Sequence, residues 1–438
     1  MSYRVRAINV RALLWSCRLW LFYALAYLWR RLLFRTTFIA ITGSVGKTTA
    51  KECMAAILST QFSTASTLNN QNDRYGVPRT MLRVRPWHRF AVIEMGTGWP
   101  GSIKRSAQLV RPHVAIVLTV ARNHTTVFSS LEEIAAEKAS LLDAVLPSGL
   151  AILNADESSV RLMASGRRCQ VRTFGLSAGQ DVWADEVSST WPETLTLRVH
   201  TRSEVERVRT KLVGRHWVNS VLAGIAGALA CGVSLKAAAA AVADVEPFPA
   251  RMQPIKLPNG ATMIRDEYNG SYHTWQAAVK VLGDAHTARR VLVMSDVSDW
   301  HKTSRTSMKT RDRNRELGRI ASRLADVAIF VSEHAHHAVK AAVAAGMHPD
   351  SVHGFTNLLT AAEHLKSELG HGDLVLLRGR TTDHLSRICF AQFSEIGCWK
   401  AHCGKTIVCD HCNELRPGFD LQVITKGAGP ERMSASVG

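Results

Sequence analysis

The chain has 438 residues, a formal net charge of +18, 46% hydrophobic residues and 21% charged ones. That is enough chain for two or three domains with real cores, and the composition is ordinary for a globular protein. The basic excess points to a membrane surface, nucleic acid or an anionic substrate. Four of the nine cysteines are packed between Cys398 and Cys412, which excludes a secreted disulfide scaffold and favours a reducing compartment.

Residues 1–35 hold seven arginines and no acid. Arg4, Arg11 and Arg18 recur every seven positions and share one helical face. The eleven residues Leu19 to Trp29 are all apolar or aromatic, short of the roughly 20 that a spanning helix needs. Trp15, Trp20, Tyr23, Tyr27 and Trp29 favour the headgroup region. The expectation is a basic amphipathic or re-entrant helix lying on the cytoplasmic face of the cell membrane. A single span over Ala12 to Phe34, with Arg18 snorkelling, is the next choice, and a soluble core helix is the plainest alternative. No small-residue cleavage site follows, so a cleaved signal peptide is not expected.

Phe38 to Thr42 is an apolar, β-branched run that reads as a buried strand. It enters the turn Gly43-Ser44-Val45-Gly46, followed by Lys47-Thr48-Thr49 and a helical stretch, Thr48 to Leu58. Strand, glycine loop and Lys-Thr at a helix start is how a chain cradles phosphate. Backbone N–H groups face the anion, Lys47 adds a point charge, and the Thr48 hydroxyl suits Mg²⁺. Ile41 stands where the longer form of this loop has a further glycine, so this is the shorter G-x-x-G-K-T-T form.

Residues 36–249 alternate strands and helices. Phe90 to Met95, Val114 to Val120 and Ala151 to Asn154 read as buried parallel strands, with a helix at Leu131 to Leu142. This predicts a doubly wound, mostly parallel α/β domain with its ligand at the strand C-termini. Val218 to Ala243 is a helical pair, and Pro247-Phe248-Pro249 a hinge. Residues 250–395 repeat the alternation as a smaller, Rossmann-like α/β domain, with strands at Val291 to Met294, Val327 to Val331 and Leu374 to Leu377. The stretch His301 to Arg319 holds seven Lys/Arg against two acids. It reads as a solvated helix face or as an anion site.

Five stretches occur in order. They are Gly43 to Thr49; Thr67-Leu68-Asn69-Asn70-Gln71-Asn72 with Gly76-Val77-Pro78; Glu94-Met95-Gly96; His124 with Phe128, Ser130, Leu131 and Lys138; and Gly214-Arg215-His216 through Arg251 to Asp266-Glu267-Tyr268-Asn269. With these the chain resembles the Mur ligase family, ATP-dependent enzymes that join an amino acid or peptide to a carboxylate. The likeness covers residues 38–390 and is nearest to the D-alanyl-D-alanine-adding branch.

The resemblance implies phosphorylation of a carboxylate by ATP and attack of an amine on the acyl phosphate, with one or two Mg²⁺. Nucleotide contacts fall to Gly43, Ser44, Val45, Gly46, Lys47, Thr48, Thr49, Asn154, Asp156, Arg251 and Asp266. Metal contacts fall to Thr48, Glu94 and His124. Lys138 matches a lysine that relatives carry as a carbamate, an anion suited to a second Mg²⁺. Closure at Arg251 would shield the acyl phosphate from water.

The chain departs from the family pattern at several points. Val120 stands for a usual Asn, Trp217 and Ser220 stand for two others, and Arg378-Gly379-Arg380 replaces Lys-Gly-Ser. The basic helix occupies the place of the relatives' UDP-sugar-binding domain. Membrane-attached poly-γ-glutamate synthases have a similar layout, which favours a lipid-linked or polymeric acceptor in cell-envelope or surface-polymer biosynthesis. A ligase using a soluble peptidoglycan precursor is the alternative. A membrane-bound P-loop switch ATPase or a scaffold is the reading from another class. No motif supports specific nucleic-acid binding.

Cys398, Cys403, Cys409 and Cys412 have the spacing C-x4-C-x5-C-x2-C. Four thiolates so close suit tetrahedral structural Zn²⁺ over residues 396–416, with His402 or His411 as substitutes. Free thiols and an iron–sulfur cluster are the other readings. Residues 417–438 read as a disordered tail.

Overall fold

The computed structural model describes residues 10–122, 127–298, 308–401, 403–405, 407–421 and 424, without the side chains of 10–17 and of His273. The expectations for His124, His402, Arg4 and the stretch 301–307, and most of the tail reading, fall outside these residues. The described residues form two compact units. One is the chain up to Asp185 with Arg198–Glu206 and Asn219–Val242; the other is Glu186–Leu197, Arg207–Val218 and the chain from Ala243 on.

The first unit starts with α1 (Val10–Leu32). It continues through β1 (Thr37–Thr42), α2 (Lys47–Ser59), β2 (Thr64–Ser66), α3 (Gly76–Arg83), β3 (Phe90–Glu94) and α4 (Ser102–Val110). Then come β4 (Val114–Val117), α5 (Leu131–Ala139), β5 (Leu150–Asn154), the short α6 (Ser158–Arg161) and β6 (Gln170–Gly175). Strands β7 (Val182–Ser188), β8 (Thr196–His200) and β9 (Val205–Arg209) lead from one unit into the other, and helices α7 (Val218–Ala230) and α8 (Leu235–Ala243) follow. The sheet order is β2-β3-β1-β4-β5-β6-β7-β8-β9, parallel from β2 through β6. Phe38, Ile39, Ala40 and Ile41 are fully buried, because helices cover both faces of a parallel sheet and its central strand must be apolar throughout.

Helix α1 has two apolar faces. Ala26 and Leu33 are buried in the first unit's core, beside Tyr23 and Trp29. Trp29 Nε1 donates to the Val84 carbonyl at 2.9 Å, and Arg30 Nε to the Val110 carbonyl at 2.6 Å. The Arg30 guanidinium also lies 4.0 Å over the Phe38 ring. Burial pulls the Arg30 pKa down to about 10. Leu21, Leu25, Leu28 and Leu32, spaced four, three and four apart on the opposite face, are 54%, 49%, 62% and 63% exposed. No helix among the described residues is long and apolar enough to cross a membrane; the expected span over Ala12 to Phe34 begins in residues whose side chains lie outside those described.

The second unit carries β10 (Gln253–Lys256), β11 (Thr262–Asp266), α9 (Tyr272–Gly283), β12 (Arg289–Met294), α10 (Thr310–Leu324) and β13 (Val327–Val331). It ends with α11 (Ala335–Ala344), β14 (Val352–Phe355), α12 (Leu358–Glu368), β15 (Asp373–Arg378) and α13 (Ser386–Phe390). Its sheet runs β10-β11-β15-β12-β13-β14, antiparallel only between β10 and β11. The protein is thus α/β with mostly parallel sheets, as the alternation predicts. The basic stretch is largely α10, which buries Asn314, Leu317, Gly318 and Ala321 and pairs Arg319 with Glu316 at 2.9 Å.

Candidate active site

In the first unit the loop Gly43–Gly46 joins β1 to α2, with Gly46 at φ 82, a left-handed turn that costs glycine nothing. Lys47 folds its Nζ back onto the Gly43 and Ser44 carbonyls at 2.6 and 3.3 Å. The Ser44 N–H donates to the Thr119 carbonyl at 2.8 Å, and the Ser220 hydroxyl to the Gly46 carbonyl at 3.2 Å. Ser220 thus braces the loop from the first turn of α7. The first-turn N–H groups of α2 have no carbonyl four residues back, which suits an anion.

Register places Glu94, the last residue of β3, opposite Ile41. Its Oε1 accepts from Thr48 Oγ1 at 3.1 Å and from Asn72 Nδ2 at 2.6 Å. Its Oε2 is buried and has no hydrogen-bond partner among the described residues. A buried carboxylate oxygen without a donor is costly unless a cation completes it, so these residues fit Mg²⁺. Gly96 makes the arrangement possible, because a Cβ there would stand 2.4 Å from Asn72 Oδ1.

Lys138, on α5, is 2% exposed and donates to Thr97 Oγ1 at 3.1 Å. Burial, then the Lys47 ammonium, holds its pKa well below the usual lysine value and favours the neutral amine. Its neighbour Glu137 anchors α5 to the start of α4, accepting from the N–H groups of Gly101 and Ile103 at 2.6 and 2.7 Å. Asn154 ends β5, fully buried, with its Nδ2 lacking a partner among the described residues. The Asp156 carboxylate accepts from the Leu176 N–H at 2.9 Å, bracing the end of β6.

In the second unit, Arg251 lies between two residues in left-handed conformation, Ala250 (φ 58) and Met252 (φ 48). Non-glycine residues hold that conformation only where surroundings enforce it. The Arg251 guanidinium sits 4.5 Å over the Tyr268 ring, and its Nε is buried without a partner among the described residues. Asp266 ends β11, opposite Arg378 at the end of β15, and the two form a buried ion pair. Arg378 also donates to Thr274 Oγ1 at 2.6 Å. Arg380 pairs with Asp383 at 2.8 Å, and Arg313 with Asp296 at 3.0 Å.

Cys398, Cys403, Cys409 and Cys412 all line one small cavity in this unit, with His384, Arg387 and Lys405. Among the described residues, no three His, Cys, Asp or Glu side chains are already gathered so as to hold a metal.

Two family models match the chain: Mur ligase middle domain over residues 41–228, and Mur ligase, glutamate ligase domain over residues 250–381. A UDP-N-acetylmuramoyl-tripeptide–D-alanyl-D-alanine ligase of Mycobacterium tuberculosis H37Rv is 30% identical over 83% of this chain and 74% of its own. The chain belongs to the Mur ligase family. The Escherichia coli K12 enzyme of the same name is 36% identical over 60% of this chain, and the match spans only 58% of that relative's length. The solved structure of MurF from Acinetobacter baumannii superimposes with a TM-score of 0.76 at 27% identity, covering 85% of this chain and 79% of its own.

Within this Mur ligase, the structure brings Lys47, Thr48, Glu94 and Lys138 to the C-terminal edge of the first sheet. Asn154 and Asp156 stand two strands from β1 along the same edge. Sequence reasoning missed three supporting residues: Thr97, Glu137 and Lys51. Lys51 is fully buried, and its Nζ donates to the Thr67 and Asn69 carbonyls at 2.8 Å each, fixing the loop that carries Asn72. A signal existed for Lys51 alone. It lies one turn past Lys47, among the buried residues Ala50 and Met54.

Proposed function

We propose that the chain is an ATP-dependent acid–amino acid ligase that builds a cell-envelope peptide or polymer through an acyl phosphate. An acceptor carboxylate attacks the γ-phosphorus of ATP and ADP leaves. The amine of an amino acid or short peptide then attacks the acyl carbon and expels phosphate. The observation that carries this reading is Glu94 Oε2, buried and without a partner among the described residues, on the carboxylate that Thr48 Oγ1 bonds. Lys47 and the loop N–H groups hold the phosphates. Thr48, Glu94 and His124 would hold Mg²⁺, which supplies charge neutralisation to the transferring phosphoryl group. Asn154, Asp156, Arg251 and Asp266 are the further residues assigned to the nucleotide. The depressed Lys138 pKa supports a carbamate there, since the neutral amine is the form that reacts with CO₂.

Two further features belong to this reading. The outward leucines of α1, with Trp20 at 69% exposure, Phe34 just past the helix at 78%, Arg18 and Arg31 on the helix and Arg35 after it, support docking on an anionic membrane surface. That location suits a lipid-linked or polymeric acceptor, with a soluble peptidoglycan precursor as the alternative. The four-cysteine segment holds structural Zn²⁺.

The test is phosphate release from MgATP by the full chain, with amino acids and dipeptides screened against candidate carboxylates and Lys47→Ala as control. Release that needs an amine and a carboxylate together, with an amide product in the mass spectrum, supports the ligase. Release that needs only lipid or a protein partner, with no amide formed, overturns it in favour of the switch ATPase. Sedimentation with anionic vesicles should be lost in Leu25→Asp/Leu28→Asp at unchanged ATP turnover. Equal sedimentation of this variant and the parent chain overturns the membrane reading.

A further inference from the structure

The segment from Ile396 to Leu415 has no strand and, among the described residues, only one helical turn, Cys409–His411. Yet Ile396, Cys409 and Leu415 are buried in the same apolar cluster as the strands of the second sheet. Something other than a backbone ladder must hold this stretch in place. The four cysteines surround one cavity, and Lys405 Nζ donates to Cys412 Sγ at 3.3 Å, as a cation does beside a thiolate. Among the described residues no three metal-type side chains stand close enough together to hold an ion, so zinc binding here requires the four sulfurs to close on it.

The turn between Cys409 and Cys412 carries Asp410. Its carboxylate grips Arg265 in a fork, at 2.8 Å to each guanidinium NH2 nitrogen. Arg265 is fully buried and lies on β11, one residue before Asp266. The same guanidinium donates to Glu267 Oε1 at 2.8 and 2.5 Å and to Ser386 Oγ at 3.0 Å, and it stacks 4.7 Å over Phe390. Ser386 in turn donates to Glu267 Oε1 at 2.8 Å. Asp410 therefore closes a buried network around both residues that flank Asp266. Its members fix one another's positions, although Glu267 Oε2 is left without a partner among the described residues.

We propose that the four-cysteine segment is a zinc-held clamp that presents Asp410 to Arg265, making Asp410 a positioning residue for the nucleotide-side end of β11. The clamp rests on the zinc reading above. Asp410 acts through Arg265 and touches no substrate, so its loss moves the strand end and weakens ATP binding before it slows chemistry.

The experiment uses the full chain. Metal analysis should find one zinc per chain, lost in Cys409→Ser/Cys412→Ser; preparations without zinc overturn the clamp. Asp410→Asn should keep its zinc, raise KM for ATP about tenfold with a smaller change in kcat, and speed amide exchange over residues 262–269. Zinc-stripped parent chain should show the same faster exchange, which keeps the test alive should Asp410→Asn fold poorly. If Asp410→Asn retains zinc and both KM and exchange stay at the parent values, the positioning role is overturned while the zinc site stands. The ligase reading is checked separately by the amide product, which Asp410→Asn should still form.

Discussion

The two sheets each end in a row of charged residues, and the rows are opposite in kind. At the edge of the first, groups are left without counter-charges among the described residues: Glu94 Oε2 accepts no hydrogen bond, and burial holds the Lys138 pKa well below the usual lysine value. At the edge of the second, charge is matched: Arg378 with Asp266, Arg380 with Asp383 and Arg313 with Asp296. A site that must receive phosphates and a cation is assembled with its counter-charges missing. A site already neutralised within itself is suited to positioning. The lesson is that ion pairing, more than the number of charges, distinguishes the two edges; single buried atoms without a partner among the described residues occur at both, Glu94 Oε2 in the first and Arg251 Nε, Arg378 Nε and Glu267 Oε2 in the second.

Lys47→Ala should break the comparison most severely. The Nζ bonds to the Gly43 and Ser44 carbonyls of its own loop, and its replacement should leave the apolar core of the sheet untouched. Phosphate release should fall roughly 10³-fold, the scale of losing one charge-stabilising donor in phosphoryl transfer. A turnover assay beside a thermal melt checks this. A loss below about tenfold would move the phosphate site elsewhere.

Glu94→Gln comes next. It replaces the unpartnered oxygen by an amide and leaves Thr48 and Asn72 their neighbour. Turnover should drop about 10²-fold, with the Mg²⁺ concentration for half-activity shifted upward. Stability should hold or rise, because an unpaired buried charge is removed. A lower melting temperature together with normal Mg²⁺ dependence would show that Glu94 is structural.

Lys138→Met sharpens the same edge. Methionine fills the volume without the cost of a buried amine, so the melting temperature should not fall. Turnover should fall about tenfold to a hundredfold. In the parent chain, ¹³C-bicarbonate should yield a carbamate resonance that strengthens as pH rises, since more of the amine is then neutral, and that is absent in the variant. No resonance at any pH would leave Lys138 as an amine donor to Thr97.

The phosphate loop was legible because glycine, lysine and threonine after a buried strand have one economical geometry. The alternation of strands and helices likewise announced both α/β units. The strand expected over Val114 to Val120 stops at Val117, because Thr119 turns its carbonyl to the Ser44 N–H and its hydroxyl to the Val45 N–H. Strands β7 to β9 were not read from the sequence, although Leu197 and Val199 alternate with polar neighbours and are fully buried; the runs are short and rich in charged residues. Lys138 was visible only through family resemblance; nothing local separates it from an exposed helix lysine. Thr97, Glu137 and Asp410 act across 41, 34 and 145 positions of chain, a pairing no local pattern contains. For α1 the composition showed apolar residues among arginines, but which face turns inward is decided by the surface it meets.

The smallest effect belongs to Arg380, and it tests whether the second edge is neutral by design or by accident of surface chemistry. Its side chain is 41% exposed, so water screens its pairing with Asp383. Exposed pairs of this kind contribute about 1 kcal/mol or less. Arg380→Ala should therefore lower stability by less than about 1 kcal/mol, and a cycle with Asp383→Asn should find a coupling of the same small size. Asp383 also accepts from the Ser295 hydroxyl and the Arg380 N–H, so its own replacement should cost more than that of its partner. If Arg380→Ala instead costs turnover tenfold while the melt is unchanged, Arg380 meets the substrate. The second edge would then carry a receiving charge of its own, like the first.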